Sequence, residues 1–296
     1  MILELGEHFA LVAYGDAATA CLEIVIKPLP HCCALICYYP TGILHPNQKY
    51  PTQMQMVVHL AGNQGLTVGF PTFVYPGVEE GFAEYDLEQY DNIAADLAWS
   101  RSLSAVRKAF KQDPDLDVVR DSFTNLTLKQ KDATSAIKTM VEESHVNYVP
   151  TGTGGVGQRA LLHFYKDFFI PGSPPSLQTR LLSRTSGVDR VVDEMIISFK
   201  HTQEIPWMLP GVPPTNKVVQ IPIVSIVAIR GGKLVHEHIY WDQASVLIQI
   251  GALDPKFVPK ALSSRGCKKL PMMGSEAAKK MLNMTSVPSN SLITKW

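Results

Sequence analysis

The chain has 296 residues, of which 46% are hydrophobic and 18% are charged, and 27 basic and 27 acidic side chains give it a formal net charge of zero. This composition excludes a disordered chain, because there is enough apolar mass to form hydrophobic cores. The charge balance gives no electrostatic reason to expect nucleic acid or an anionic membrane as a partner. We therefore expect a globular protein whose ligand is a hydrophobic small molecule.

The cysteines and the start of the chain favour the cytoplasm. None of the cysteines belongs to a spaced CxxC pair with histidine partners, so we interpret them as reduced and mostly buried thiols. The opening segment MILELGEHFALVAYG carries acidic residues and no basic region, which does not match a secretory signal. The longest apolar run, residues 218–229, is too short to span a bilayer and is typical of a core strand. The five cysteines are Cys21, Cys32, Cys33, Cys37 and Cys267.

The first half has the element order of a parallel α/β sheet. A short strand, the turn Tyr14-Gly15-Asp16 and a helix follow one another, and short apolar runs split by Pro, Gly and Asn come next. Helical spacing then covers residues 87–110. The predicted strands are 9–13, 34–39, 54–60 and 72–75, and the first predicted helix is 16–26.

In the second half, predicted helices precede long strands. The polar, proline-containing segment 111–117 separates the halves, and we place a domain boundary there. Helices followed by an antiparallel meander are typical of an α+β domain. We predict an α/β domain at 1–112, an α+β domain at 113–255 and a tail at 256–296. The predicted helices are 133–143 and 157–169, and the predicted strands are 181–184, 188–201, 218–230 and 234–242, with Gly231-Gly232 as a hairpin turn.

Three segments of the first half resemble the dienelactone hydrolase family: CALICYYPTGI at 33–43, VVHLAG at 57–62 and YPGVEEGFAEY at 75–85. The turn after the first strand also has the outline of a nucleophile elbow, which exposes a Ser or Cys to substrate. The resemblance implies a truncated sheet, whose open edge is compatible with a homodimer.

The catalytic residues of that family are replaced in this chain. Ala13 stands where the family has its nucleophilic Cys, Asn63 or Gln64 where it has Asp, and Glu80 where it has His. Covalent acyl chemistry needs a nucleophile and a base that activates it. The resemblance therefore implies a degenerate domain that serves as a scaffold or dimerisation surface, with residual lactone hydrolysis as the alternative.

Three segments of the second half, HVNYVPTGTGG at 145–155, SRTSGVDRVVDEMIISFKHT at 183–202 and the long segment 209–253, resemble the SnoaL-like proteins. Gly-Val-Pro-Pro-Thr and the later Trp-Asp-Gln are the most specific parts. The resemblance implies a nuclear-transport-factor-like or ketosteroid-isomerase-like cone, a curved antiparallel sheet around a pocket closed by helices. That fold hosts cyclases, isomerases, dehydratases, epoxide hydrolases and binding proteins, so it indicates architecture better than reaction.

The predicted last strand carries the main catalytic candidates. Alternation along a strand places His236, His238, Tyr240 and Asp242 on one face. If that face lines the pocket, Asp242 is the general base or carboxylate partner and His238 the proton shuttle. The alternative is that this face meets water while Val235, Ile239 and Trp241 fill the core.

Asp193 is a further catalytic candidate. It is adjacent to Glu194, and a strand sends only one of the two inward; we prefer Asp193, which shares its face with His201, although a bulge would reverse the choice. The alternative for Asp193 is pairing with Arg184 or Arg190 at the sheet surface.

His145 and Tyr148 are expected at the pocket rim. His145 is a catalytic candidate, with helix capping or core packing as the alternative. Tyr148, His201, Tyr240, Trp241 and Phe199 are the predicted substrate-binding residues.

Metal and nucleotide sites are not predicted. His236 and His238 are only half a metal site, and no third ligand is evident by spacing. The Gly-rich run 152–157 lacks the strand, helix and Lys of a phosphate-binding loop, so we assign it to a turn.

These candidates favour a cofactor-independent cyclase, isomerase or dehydratase that acts on a hydrophobic polyketide- or terpenoid-type intermediate. Ring closure through the shape of the pocket alone is also compatible with the pattern. The alternative is a non-catalytic carrier or interaction protein.

Overall fold

The structure is a computed structural model that describes residues 7–70, 72–112 and 114–293. Part of the opening segment interpreted above (residues 1–6), the predicted boundary residue Asp113 and the end of the tail (residues 294–296) lie outside these ranges. Within them, no helix combines the length and apolar character needed to cross a membrane. The chain forms two compact units, Met1–Pro114 and Asp115–Trp296.

The first unit contains the parallel sheet predicted from its sequence. Its strands lie in the order β1-β2-β3-β4 and all pair in parallel. The second helix starts later than predicted because the Asp91 side chain caps it, accepting a hydrogen bond from Ala94 N at 2.8 Å. The elements are β1 Phe9–Tyr14, α1 Gly15–Ile24, β2 Cys32–Tyr38, β3 Gln55–Ala61, β4 Phe73–Tyr75 and α2 Asn92–Phe110.

The turn between β1 and α1 corrects the predicted position of the elbow. Ala13 lies inside β1 and is buried, whereas the left-handed conformation of the turn belongs to Gly15, with φ +53°. The residue at the turn thus has no side chain with which to attack a substrate.

The cysteines are free thiols, but fewer are buried than expected. Cys33 and Cys37 are buried, and Cys21, Cys32 and Cys267 are half-buried. Burial raises the pKa of the Cys37 thiol, which makes it a weak nucleophile.

The second unit is built on a six-stranded sheet with the order β6-β5-β10-β9-β8-β7. Its strands are β5 Met140–Tyr148, β6 Thr153–Val156, β7 Gln178–Ser186, β8 Arg190–Lys200, β9 Val218–Arg230 and β10 Lys233–Trp241. The prediction of an antiparallel meander holds from β7 to β10, but β10 pairs with β5 in parallel.

Several predicted elements of this unit are wrong. β7 is longer than the strand predicted at 181–184, and the Gly-rich run 152–157, assigned above to a turn, contains β6. The helix expected at 133–143 stops at Lys138, and β5 begins at Met140, because Ser144, Val146 and Tyr148 alternate with more exposed residues and fit a half-buried strand. The last strand ends at Trp241, so Asp242 is the N-cap of the next helix and not a strand residue.

Helices cover one region of the sheet and include π-helical turns. A helix that the sequence analysis missed, α3 Leu116–Thr124, continues as a π-helix over Asn125–Gln130. The second π-helix, Phe164–Phe169, follows α5. The remaining helices are α4 Ala133–Lys138, α5 Gln158–His163, α6 Ile170–Gly172, α7 Gln243–Ile250, α8 Lys260–Ser263 and α9 Glu276–Leu282.

The tail belongs to this unit. α9 packs against β9 with Ala278 fully buried, and Ser245 Oγ donates to Met273 O at 2.6 Å. The main core of the unit lies between the sheet and helices α3 to α7.

Candidate active site

A cavity of about 420 Å³ lies between α3, the two π-helices and β5 and β7 to β10. Its volume falls in the range of about 300–1,000 Å³ typical of small-molecule sites. The wall is mostly apolar and aromatic, with a few polar side chains that converge on one side. The cavity lining includes Arg120, Tyr148, Tyr165, Asp193, Trp207, Ser225 and Glu237.

Arg120 stands at the centre of the polar side. α3 is capped by Asp115, whose side chain accepts from Asp117 N at 3.0 Å and Val118 N at 3.3 Å. The buried residues of this helix, Leu116, Arg120 and Phe123, are spaced i, i+4 and i+7, so the arginine occupies a core-facing position. Its side chain is 7% exposed.

Two carboxylates hold the guanidinium in place. Arg120 Nε lies 3.0 Å from Asp193 Oδ2, and Nη2 lies 3.0 Å from Glu237 Oε1. Nη2 also donates to Ser225 Oγ at 3.1 Å, and Ser225 in turn donates to Glu237 Oε1 at 2.8 Å. Although burial alone would lower it, Glu237 and Asp193 hold the pKa of Arg120 above its ordinary value.

Asp193 is held by a second arginine as well. Arg184 donates from Nε to Asp193 Oδ1 at 2.6 Å and from Nη2 to Oδ2 at 3.1 Å. Burial would raise the pKa of this carboxyl group, but the hydrogen bonds from Arg184 and the charge of Arg120 hold it below its ordinary value. A carboxylate bound on both oxygens by arginines is suited to positioning Arg120 rather than to accepting a proton.

Glu237 differs from Asp193 because only one of its oxygens is engaged. Both of its polar contacts are at Oε1, and within residues 114–293 no donor bonds Oε2. The same holds for Nη1 of Arg120. The cavity therefore presents a carboxylate oxygen and a guanidinium N–H that are available to a ligand.

Two phenols complete the polar side. Tyr148 and Tyr165 are buried, and burial is the main cause that raises the pKa of both hydroxyls well above the ordinary value. Tyr165 and then the charge of Glu237 raise the pKa of Tyr148 further, and the charge of Glu237 does the same for Tyr165. Both phenols are thus neutral hydrogen-bond donors at physiological pH. In the described part of the unit, Tyr165 Oη and Trp207 Nε1 are buried polar atoms without a hydrogen-bond partner. Such atoms are costly unless a ligand or water satisfies them.

The structure places two predicted site residues in the cavity wall, Asp193 and Tyr148. Glu194 points to the other face, where Ser183 donates to it at 3.0 Å. The alternative for Asp193 is also part of the observed arrangement, since Arg184 is its partner, but Asp193 is buried and Arg184 is half-buried.

Three predicted substrate contacts lie behind the wall. Trp241 packs against Tyr148 and Trp207, and its Nε1 donates to Gln243 Oε1 at 2.6 Å. Phe199 is buried in the core, beyond the residues that line the cavity. His201 is fully buried; its Nδ1 accepts from Thr215 N at 3.3 Å, and burial lowers its pKa.

The predicted placement of the principal catalytic candidates is wrong. His238, Tyr240 and His145 lie on the sheet face opposite the cavity, because the inward positions of β10 are Glu237 and Ile239 and that of β5 is Tyr148. Asp242 is exposed after the end of β10, where it caps α7 by accepting from Ala244 N at 3.0 Å. The alternative for this strand is observed in part: Ile239 and Trp241 are buried on the inner side, whereas Val235 is half-buried and so are His236 and His238.

Sequence reasoning missed Arg120 and Glu237. Glu237 lies between Val235 and Ile239, which the alternative for this strand places in the core. A carboxylate on that face of the strand is a signal that could have indicated a buried charged site. Arg120 gave a similar signal, since it occupies the apolar stripe between Leu116 and Phe123. A charged residue in a core-facing position is rare unless it is paired, and here each pairs with the other.

The first unit holds a buried hydrogen-bonded histidine. His59 Nε2 lies 2.8 Å from Ser102 Oγ and Nδ1 lies 2.9 Å from Tyr75 Oη. Burial and Arg101 lower the pKa of His59 to about 3. His59 is fully buried and Ser102 nearly so, and aromatic rings of Tyr38, Tyr75 and Phe73 surround the pair. This arrangement satisfies buried polar groups and gives no substrate access to the serine.

Comparison with known proteins gives remote structural similarities only. No family model and no curated protein matches the chain. TsrD from Streptomyces laurentii is 15% identical, with 48% of this chain and 100% of that chain covered and a TM-score of 0.39. A protein from Jannaschia sp. CCS1, provisionally named a SnoaL-like polyketide cyclase, is 17% identical, with coverage of 48% and 99% and a TM-score of 0.38. A Catenulispora acidiphila protein with a ketosteroid isomerase-like fold is 12% identical, with coverage of 48% and 97% and a TM-score of 0.35. Scores this low do not establish a family.

Proposed function

We propose that the second unit catalyses proton transfer at a carbon next to a carbonyl group in a hydrophobic small molecule, as a cofactor-independent cyclase, isomerase or dehydratase does. The observation that carries the proposal is the pairing, in one apolar cavity, of a carboxylate oxygen at Glu237 and a guanidinium N–H at Arg120, neither of which is bound by another residue within 114–293. Abstraction of such a proton needs a base and a group that stabilises the enolate oxygen.

Each cavity residue has a definite role in this reaction. Glu237 Oε2 takes the proton from carbon, and the electron pair of the broken C–H bond moves to form the enolate. Arg120 Nη1 and the neutral phenols of Tyr148 and Tyr165 donate hydrogen bonds to the enolate oxygen. In an isomerase, the conjugated enolate takes the proton back from Glu237 at its γ carbon. In a cyclase, the α carbon attacks a carbonyl carbon of the same molecule, and the oxygen of that carbonyl takes up the proton. In a dehydratase, the enolate expels a β-hydroxyl group, which leaves as water with the proton. Asp193 and Arg184 are positioning residues that hold Arg120.

The apolar wall supports a substrate of the polyketide or terpenoid type. Phe123, Phe169, Ile223 and Ile239 line the cavity around the polar side. An apolar, water-poor environment strengthens the hydrogen bonds to a developing oxyanion.

The test uses a panel of bicyclic ketones, with 2-tetralone as the first probe. Binding is followed by tryptophan fluorescence, to which Trp207 in the cavity wall contributes, and the Trp207→Phe variant identifies that contribution. Turnover is followed by proton NMR as exchange of the α-protons for deuterium in D₂O. Binding accompanied by accelerated exchange supports the proposal. Binding without exchange overturns it in favour of the carrier function considered from the sequence.

A further inference from the structure

Three histidines cluster on the sheet face opposite the cavity. His236 and His238 come from β10, and His145 comes from β5, directly opposite His236 in the parallel register. All three are half-buried. The proposed reaction uses none of them.

The spacing of the rings matches that of imidazoles around one metal ion. His145 Nε2 and His238 Nε2 lie 3.3 Å apart. Two nitrogens bound to a tetrahedral zinc ion at about 2.0–2.1 Å are separated by about 3.3–3.4 Å. The ring centres are 4.9 Å apart for His145 and His236, 4.9 Å for His236 and His238 and 5.3 Å for His145 and His238. Three imidazoles bound to one such ion have ring centres about 5 Å apart.

One ring has to turn before all three can bind. His236 is nearly parallel to its neighbours, at 23° and 24°, and within the described residues no three potential ligands converge on one point in this conformation. Rotation about the broad χ2 torsion of His236 redirects its nitrogens without moving the backbone, and the ring exchanges its present contacts for the bond to the metal.

We infer that His145, His236 and His238 form a binding site for one divalent transition-metal ion, with zinc as the reference ion, on the outer face of the sheet. Imidazole ligands suit zinc, copper and nickel, and three of them leave one coordination position for water. Of the two facing Nε2 atoms, one carries the proton of their hydrogen bond; that ring adopts the Nδ1–H tautomer when the metal binds. The ion joins β5 to β10, directly behind the residue Glu237 on the inner face.

The experiment uses tag-free, full-length protein treated with EDTA and then dialysed. Zinc is titrated by calorimetry, and cobalt(II) reports coordination geometry through its visible absorption. We expect one zinc ion per chain with a Kd of about 10 µM or below, a higher Tm with zinc, and a tetrahedral cobalt spectrum.

Matched variants decide which residues bind. His145→Gln and His236→Gln are each expected to weaken zinc binding by at least about 100-fold, because each removes a direct ligand. His163→Gln is the control, since His163 pairs with Asp167 on the surface of the same unit, and it should bind zinc as wild type does.

Either of two results would overturn the inference. One is the absence of zinc binding with a Kd below about 100 µM, and the other is an unchanged zinc affinity in either ligand variant. If His145→Gln does not fold, the His236→Gln titration decides alone. The site and the proposed reaction use opposite faces of the sheet, so each can fail without the other.

Discussion

Replacing Arg120 by Met tests whether the cavity depends on a compensated buried charge. The variant loses the ion pairs with Asp193 and Glu237, both 3.0 Å long, and the hydrogen bond to Ser225. Asp193 retains Arg184 on both oxygens, whereas Glu237 retains only Ser225. Removing one partner of a buried ion pair costs about 3–5 kcal/mol, because the other charge stays buried without compensation. Most of that cost should come from Glu237.

The double variant Arg120→Met, Glu237→Met separates this explanation from a loss of packing. Replacing both charges by apolar groups of similar size removes the uncompensated carboxylate, so we expect the double variant to regain at least about half of the lost free energy of unfolding. Urea unfolding followed by far-UV circular dichroism gives the values. Lys129→Met, at an exposed position of the same helical segment, should stay within about 0.5 kcal/mol of wild type. A fully stable Arg120→Met, or a double variant that costs the sum of the two single ones, would refute the reasoning.

Three further predictions test separate features. The pKa of His59 is lowered to about 3 from 6.5. As pH falls from 6.5 to 3, the unfolded chain therefore binds a proton at His59 that the folded chain does not bind. The contribution of His59 to the stability of the first unit is full above pH 6.5, and the stability should fall by up to roughly 5 kcal/mol toward pH 3. Urea titrations should show this slope in wild type and not in His59→Phe; comparison with a Trp99→Phe variant identifies the fluorescence change that comes from the first unit. Gly154→Ala should lower the free energy of unfolding by more than about 2 kcal/mol, since φ is +126° and the new Cβ would lie 2.0 Å from Val146 O. Gly152→Ala is the control and should cost less, because its new Cβ would have nothing within 4 Å. Equal losses in the two variants would contradict a steric origin of the effect. Tyr165→Phe removes a buried hydroxyl without a partner, so thermal unfolding should show equal or greater stability while α-proton exchange slows. A destabilised variant with a normal exchange rate would show that the hydroxyl stabilises the fold and does not take part in the reaction.

The sequence predicted those strands and helices whose formation depends on residues that are close together in the chain. β9 was predicted at 218–230 and is Val218–Arg230, because a long apolar β-branched run fits a strand that is buried on one face and half-buried on the other. The parallel sheet of the first unit followed in the same way from short apolar runs separated by turns and helices. β5 is absent from the predicted strands, since residues 133–138 are helical and the change to a strand is fixed by pairing with β10, far along the chain.

The candidate site was harder to predict because its key residues contradict the usual division of polar and apolar positions. His236, His238 and Tyr240 were assigned to the pocket as the polar face of a strand, but the sheet turns that face away from the cavity. Glu237 is inside because Arg120, 117 positions earlier in the chain, neutralises it. The third histidine of the outer cluster likewise comes from the parallel register of His145 with His236, which spacing along the sequence does not reveal.

The rate of α-proton exchange in Glu237→Gln, compared with that in Glu194→Gln, tests the central claim most directly. Both variants replace a glutamate carboxylate by an amide on the same sheet, one inside the cavity and one on the opposite face, where Ser183 donates to it. We predict that Glu237→Gln loses a factor on the order of 10²–10⁴ in exchange rate with a bound ketone, the usual contribution of a positioned base, while Glu194→Gln keeps the wild-type rate. Equal rates in the two variants would contradict the assignment of Glu237 as the base.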